Sequence, residues 1–398
     1  IKLPLPIRNL TMKRLSIPIA ITLLSVPFFS IAQTNTGILI GQDTTNRIIT
    51  TAVPFLTITP DARAAGMGDA GVATSADVNS AYWNSAKLAF IDNGLGYGVS
   101  GSYTPWLGKI INDMYVFYLS GFYKIGREQT VAASMKYFDL GEIQFKGVSN
   151  EDLGRFNPRE FAFDVTYSRL LTEQLSIGGA LRYIHSNLTG ALTTGNIDAR
   201  PGNSVAVDLG IYYTKPFVSN NNTLSLGAAI TNLGAKISYS DANNRDFIPT
   251  NLRMGGAYTL ELDPKNKLTF ALDFNKLLVP SPPRVNSTPL LSGIFGSFTD
   301  ARGGFNEEIR EFMTSIGTEY WYNDTFAGRL GYFNEAFDKG NRKYLTAGVG
   351  FRYQHFGLDV AYMVPTNKRE NALAETIRFT LMLNFENKAR ENDSVTDN

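Results

Sequence analysis

The sequence predicts an all-β protein, a 14-stranded antiparallel transmembrane outer-membrane β-barrel with an N-terminal plug or hatch segment. Three observations predict it. From 95 to 385 the chain repeats runs of about ten residues that alternate apolar and polar, as in Phe161, Phe163, Val165 and Tyr167 against Asp164, Thr166 and Ser168. The polar side of these runs carries full charges in mid-run: Asp164, Arg182, Asp208, Arg253, Asp273, Glu319, Arg329, Arg352, Asp359 and Arg378. A ring of such groups suits a wet or salt-bridged lumen, whereas a soluble sandwich would turn them to bulk water. Connections also alternate, short turns such as KIGREQ, TEQ, DPKNK and YND following even-numbered runs. Longer ones follow odd-numbered runs, near 142–160, 187–202, 233–249 and 276–308, as in bacterial outer-membrane barrels.

The elements follow in order. Residues 1–11 precede Met12 and read as an upstream extension of the reading frame. Residues 12–32 read as a signal peptide: basic Lys13 and Arg14, an apolar core over 17–29, then Ser30-Ile31-Ala32 as a cleavage site. Residues 33–94 form the N-terminal segment and plug, and 95–385 the barrel. Its strands are expected to start near Leu95, Asp113, Glu128, Phe161, Gln174, Asn203, Thr223, Thr250, Asn266, Ile309, Asp324, Lys343, His355 and Glu375. In the last run, IRFTLMLNF, Phe379, Leu381, Leu383 and Phe385 share one face, an apolar row ending in an aromatic. The polar stretch 386–398 reads as a C-terminal tail.

Composition agrees and excludes other classes. Mean hydropathy is −0.11, too polar for a bundle of membrane helices. Charged residues are 18%, below the roughly 25% usual for soluble domains. A net charge of +1 gives no electrostatic footprint for nucleic acid. The absence of cysteine removes disulfides, thiolate metal sites and cysteine nucleophiles.

Residues 66–71, GMGDAG, fit the G-x-G-x-x-G dinucleotide pattern. That fingerprint needs a strand running into the first glycine and a helix after the last. Pro60-Asp61-Ala62-Arg63-Ala64-Ala65 stands upstream instead, a Pro-initiated segment of helical propensity, and no βαβ unit follows. Gly66, Gly68 and Gly71, with Ala62, Ala64, Ala65 and Ala70, make a small-residue surface that permits close backbone approach. Arg63, Asp69 and Asp77 are expected to pair with charges lining the lumen.

Ala62-Arg63-Ala64, Gly66-Met67-Gly68, Asp77 and Tyr82-Trp83-Asn84 together resemble the N-terminal region of the long-chain fatty-acid transporter (FadL) superfamily. The usual Asn-Pro-Ala-Gly is here Asn84-Ser85-Ala86-Lys87. Residues 49–90 are similar to the opening of the PorV family of type IX secretion proteins of Bacteroidota. The resemblance implies a fourteen-stranded barrel plugged from within and a carrier of protein cargo in the outer membrane. Such a carrier engages the type IX translocon barrel and takes secreted cargo with a C-terminal secretion domain. It delivers that cargo to the surface attachment complex, amid outer-membrane lipid. Neither metal nor cofactor is implied.

Loop 276–308 is long and apolar, with Leu277, Leu278, Val279, Leu290, Leu291, Ile294, Phe295, Phe298 and Phe305. Pro280, Pro282, Pro283 and Pro289 are expected to hold it extended. Leu290, Leu291, Ile294, Phe295 and Phe298 are the expected partner-binding residues, the alternative being a lid folded over the chain's own barrel mouth. The shared fold leaves a FadL-like transporter of hydrophobic small molecules as the rival reading. Catalysis has little to stand on. His185 and His355 are the only histidines, and strand order places them at opposite ends. His185 beside Ser186 is the nearest approach to a catalytic pair, and a lipopolysaccharide deacylase would need it.

Overall fold

The computed structural model describes residues 47–386 except 107–112, 147–149, 151, 189–192, 195–196, 199, 220, 240–244, 283–287 and 368–375. The expected signal peptide, the stretch before it and the tail beyond Glu386 lie outside the described residues. Fourteen strands form the wall: β1 (Leu95–Pro105), β2 (Tyr115–Ile125), β3 (Gln129–Asp139), β4 (Arg159–Leu170), β5 (Leu175–Asn187), β6 (Gly202–Pro216) and β7 (Thr223–Gly234). Then follow β8 (Asn251–Asp263), β9 (Asn266–Leu277), β10 (Met313–Tyr322), β11 (Phe326–Asn334), β12 (Lys343–Tyr353), β13 (Phe356–Pro365) and β14 (Ile377–Glu386).

Each strand pairs antiparallel with its sequence neighbours, and β14 returns to β1, with Val99 opposite Leu383 and Tyr103 opposite Phe379. Closure satisfies every wall strand on both edges, which a lipid surround requires because hydrocarbon offers no hydrogen-bond partner. The alternation is inverted relative to a soluble protein. Tyr97, Val99 and Tyr103 face outward on β1, while Ser100, Ser102 and Thr104 are buried inward. On β14, Phe379 and Leu381 face out, whereas Arg378, Thr380 and Met382 face in.

Aromatic rings mark both rims of the apolar band, the girdles of a membrane barrel. At the turn end Tyr97 stacks on Phe385 at 4.7 Å, and Phe326 lies 5.2 Å from Phe351. At the loop end Tyr103 meets Tyr115 at 5.7 Å, and Phe161 meets Tyr183 at 6.2 Å. The long connections carry structure of their own, including a hairpin of Ile143–Lys146 with Asp152–Phe156.

The 276–308 expectation needs correction. β9 runs to Leu277, and Leu278 and Val279 are buried beyond it rather than part of a free apolar loop. The connection then forms two short helices, α3 (Leu290–Gly296) and α4 (Phe305–Arg310). The loop is therefore not extended throughout, although Pro289 at the N-cap of α3 is itself extended; Pro283 lies outside the described residues. Ile309 lies in α4, so β10 begins at Met313. Local hydrophobicity gave no warning, since Glu307 and Glu308 of α4 point inward to cations.

Candidate functional site

The lumen is occupied by the chain's own N-terminal segment. This segment carries two short helices, α1 (Ala62–Ala65) and α2 (Ser80–Trp83). Asp61 caps α1 by accepting from Ala64 N at 2.9 Å, and its second oxygen accepts from Trp83 Nε1 at 2.7 Å. One carboxylate thus ties the two helices together.

The wall holds this segment mostly by its backbone. Ala62 N donates to Thr380 Oγ1 at 2.8 Å, and Gly68 N to Thr346 Oγ1 at 2.9 Å. Gly71 N and Val72 N both donate to Asp273 Oδ2, at 2.7 and 2.8 Å. Asn84 Nδ2 reaches Ile211 O at 2.9 Å across the lumen, and its Oδ1 accepts from Ala86 N. Lys136 donates to Ile58 O, and Ser120 Oγ to Val78 O at 2.8 Å. These contacts come from strands all round the barrel.

A chain of charges locks the arrangement. Arg63 donates to both oxygens of Glu319, at 2.9 and 2.7 Å, and to Asp77 at 2.9 Å. Glu319 also accepts from Arg329 at 2.7 Å, Arg329 reaches Asp359 at 2.8 Å, and Arg352 reaches Asp359 at 2.7 Å. Buried pairs of this kind specify position more than they add net stability. Burial disfavours a charged Arg63, but Glu319 and Asp77 more than reverse that and raise its pKa. Burial likewise opposes ionisation of Asp77, yet Arg63 and Lys87 hold it below its usual value. Arg63 therefore pairs with the wall as expected. Asp77 does not: its partner is Arg63 of its own segment, because both flank the same bend around Ser75. Asp69 accepts from the Tyr344 hydroxyl and lies 3.9 Å from Arg378.

The glycines meet glycines. Gly68 has φ +68°, and a Cβ there would lie 2.5 Å from Tyr332 N of the wall. A Cβ at Gly71 would lie 2.3 Å from the Trp83 ring, and one at Gly66 3.2 Å from Gly348 Cα. Gly317 and Gly331, on β10 and β11, receive Met67 and Gly68 in turn, and a Cβ at Gly331 would fall 2.0 Å from Gly68 N. Sequence reasoning missed Gly317, Gly331 and Gly348. Their signal was glycine at inward-facing mid-strand positions. No strand enters Gly66 and no helix starts after Gly71, so the dinucleotide reading of 66–71 fails on backbone context.

Tyr82 and Trp83 play two parts. The Tyr82 hydroxyl donates to Leu56 O and Ile58 O at 3.2 and 3.1 Å, and its ring packs edge-on to Trp83. Both rings also line a pocket at the loop end with Asn251, Arg253, Asp69 and Tyr344.

The outer loop has the opposite character. On α3 and beyond, Leu291, Phe295 (72% exposed) and Phe298 face outward, and Leu290 is half-buried. Ile294 alone of the five expected partner residues is buried, at 5% exposure. Phe305 and Ile309 on α4 are exposed as well. Beneath it, Lys339 bonds Glu307 and Glu311 at 2.8 Å each, Lys276 bonds Glu308 and Glu311, and Arg47 bonds Glu307. Burial alone would raise Glu307, but Lys339, the Gly303 amide and Arg47 bring it down to about 2. Asp300, Glu308 and Glu311 gather their carboxylates closely, and Lys276 and Lys339 already serve the two glutamates.

His185 and Ser186 do not form a pair. Adjacent on β5, they point to opposite sides: His185 Nδ1 contacts Asn203 Oδ1 at 2.8 Å at the exposed surface, and Ser186 Oγ donates inward to Glu160 at 2.6 Å. His355 lies in the turn between β12 and β13, at the other end.

A filled lumen, two aromatic girdles and long loops at one end make an outer-membrane barrel; the family comes from the sequence match. The family described as type IX secretion system protein PorV matches residues 41–284. The chain belongs to the PorV family. A search among curated proteins gives no match. In three dimensions this PorV-family chain is similar to a deltaS2S3 mutant of the TodX monoaromatic hydrocarbon channel, with TM-score 0.50 and 12% identity over 82% of this chain and 99% of that one. The Ralstonia pickettii toluene transporter TbuX gives TM-score 0.49 and 13% identity over 82% and 98%. A Pseudomonas aeruginosa FadL homologue gives 0.45 and 11% over 86% and 99%. At such identity the likeness concerns the fold alone. The PorV-family chain is thus an outer-membrane barrel of the type IX secretion system.

Proposed function

We propose that this PorV-family barrel works as a carrier rather than a conduit. In this reading its lumen stays plugged, and its outer loops bind the translocon and receive cargo bearing a C-terminal secretion domain. It then passes that cargo to the surface attachment complex. The observation that carries the reading is the contrast between a lumen packed and ion-paired shut and an exposed apolar face on α3 and α4. An exposed patch of Leu, Ile and Phe at the loop end is costly in water and is relieved by a protein partner. The Lys276, Lys339 and Arg47 contacts beneath α4 support it, because they hold that face in place against the barrel.

The test is affinity isolation of the full-length protein from its native membrane under mild detergent. Recovery of a very large barrel together with secreted cargo is expected. Recovery of lipid or small hydrophobic molecules with no protein partner would favour the transporter instead.

A further inference from the structure

We propose that the pocket at the loop end of the lumen is a carboxylate-binding site, and that Arg253 is its seat. Arg253 projects from β8 and is 4% exposed. Among the described residues it forms no ion pair, unlike the lumenal arginines Arg63, Arg182, Arg329 and Arg352. Its Nη1 donates to Tyr82 O at 3.0 Å, its guanidinium lies 4.6 and 5.1 Å from the Tyr82 and Trp83 ring centres, and its Nε has no partner. A buried cation is normally matched by an anion, since desolvating it unpaired is costly. Ring faces offset only part of that cost.

The neighbouring acids are committed elsewhere. Asp208 takes Arg182, and one oxygen of Asp273 takes the Gly71 and Val72 amides, so neither acid bonds Arg253. Asp69 in the pocket takes the Tyr344 hydroxyl, and Arg342 at the pocket edge is held by Glu335. Of the two arginines that line the pocket, Arg253 is thus the one without a bonded carboxylate. Beside it, Asn251 Oδ1 is buried without a partner, an acceptor suited to a ligand N–H. A guanidinium donor next to an amide acceptor matches a carboxylate followed by a peptide N–H.

The route in also fits a peptide. Thr57, Leu277, Met313 and Arg342 line both this pocket and a wider groove outside it. That groove mixes Ile48, Ile49, Pro54 and Met313 with Thr50, Thr51, Glu335 and Lys339, an amphipathic lining that suits the mixed side chains of a peptide. We therefore assign the ligand as a peptide carboxylate arriving from the exterior side. The peptide assignment rests on the carrier reading above.

Trp83 in the pocket provides the probe. Full-length protein in detergent is titrated with N-acetyl-trialanine bearing a free carboxylate, with the same peptide amidated, and with octanoate, following tryptophan fluorescence. Saturable binding of the free acid is expected, weakened at least about tenfold by amidation and by Arg253→Gln. Arg253→Lys should recover part of the affinity. Should Arg253→Gln fail to fold, Asn251→Asp places a negative charge in the same pocket and should weaken the acid about as much. Equal binding of acid and amide, no binding of either, or binding of octanoate alone would overturn the proposal. The carrier reading fails separately: free-acid binding that depends on Arg253, with no secretion partner recovered from the membrane, would leave the site standing and remove its proposed context.

Discussion

Two parts of the molecule, the inner segment 47–94 and the connection between β9 and β10, treat apolar and charged side chains in opposite ways. In the inner segment Phe55, Met67, Tyr82 and Trp83 are buried, and Arg63 is matched by carboxylates on either side. In the connection the large apolar groups Leu291, Phe295 and Phe305 face outward, while Glu307, Glu308 and Glu311 are turned in to lysines. The first is finished within the chain. The second is anchored by its charges and left incomplete by its apolar side. The difference teaches where, on the carrier reading proposed above, a partner would be needed: a surface that hides its acids and displays its phenylalanines gains by being covered.

The largest effect is expected where the inner segment touches the wall. Gly68→Val adds a branched side chain at φ +68°, where the Tyr332 backbone stands 2.5 Å from the first added carbon. The segment cannot seat, and cells should become sensitive to bulky antibiotics that an intact outer membrane excludes. Glu319→Ala leaves Arg63 and Arg329 without their shared carboxylate, a loss of about 3–5 kcal/mol for a broken buried pair. The barrel band should then lose its heat resistance on gels. Were both variants as heat-resistant and as impermeable as wild type, the inner segment would not be held as described.

Acidity offers a second way to separate the regions, with opposite signs. Burial, reinforced by Asp77, pushes the Asp61 carboxyl up from 3.8 to about 6. A raised pKa means a contribution fully present below about 3.8 and lost as pH rises through about 6. Glu307 is held down to about 2 from 4.5, so its contribution is present above 4.5 and lost as pH falls through about 2. Hydrogen exchange around Ala64 and Trp83 should therefore quicken as pH rises across about 4 to 6, after correction for intrinsic rates, and Asp61→Asn should abolish that change. Protease access to α4 should stay constant there and increase only toward pH 2. The same sign of response in both regions would break the comparison.

How much of this could be read from the sequence follows from the range of the interactions. The strands were legible because alternation is a local property: Asp164, Asp208 and Asp359 sit at every second position and all face the lumen. The small-residue character of 66–71 was legible for the same reason. Its partners were not, because Gly317, Gly331 and Gly348 are some 250 residues away or more and a strand glycine looks alike whether it meets a backbone or nothing. Gly328 illustrates the ambiguity, with nothing near its missing Cβ. Helix α4 was hidden because Glu307 and Glu308 look like a solvated turn until Lys339 and Lys276, from other elements, are brought beside them. Arg253 was read only as one charge among the lumenal ten, since lacking a partner is a property of the folded neighbourhood and not of the residue.

The smallest effect on the fold is expected at the exposed face itself. Leu291 and Phe295 contribute little to the barrel's own packing, so Leu291→Asp and Phe295→Asp should change its thermal midpoint by no more than about 0.5 kcal/mol equivalent. Ile294→Asp is the control, because Ile294 is buried in the loop and a charge there should loosen α3. If the exposed face is a partner site, the two exposed variants lose translocon recovery while the barrel stays intact. If it instead closes over the barrel's own mouth in the membrane, they should keep recovery and alter only the accessibility of the pocket around Arg253. Stability and recovery therefore have to be read together: a face that serves a partner separates them, and a face that serves the fold cannot.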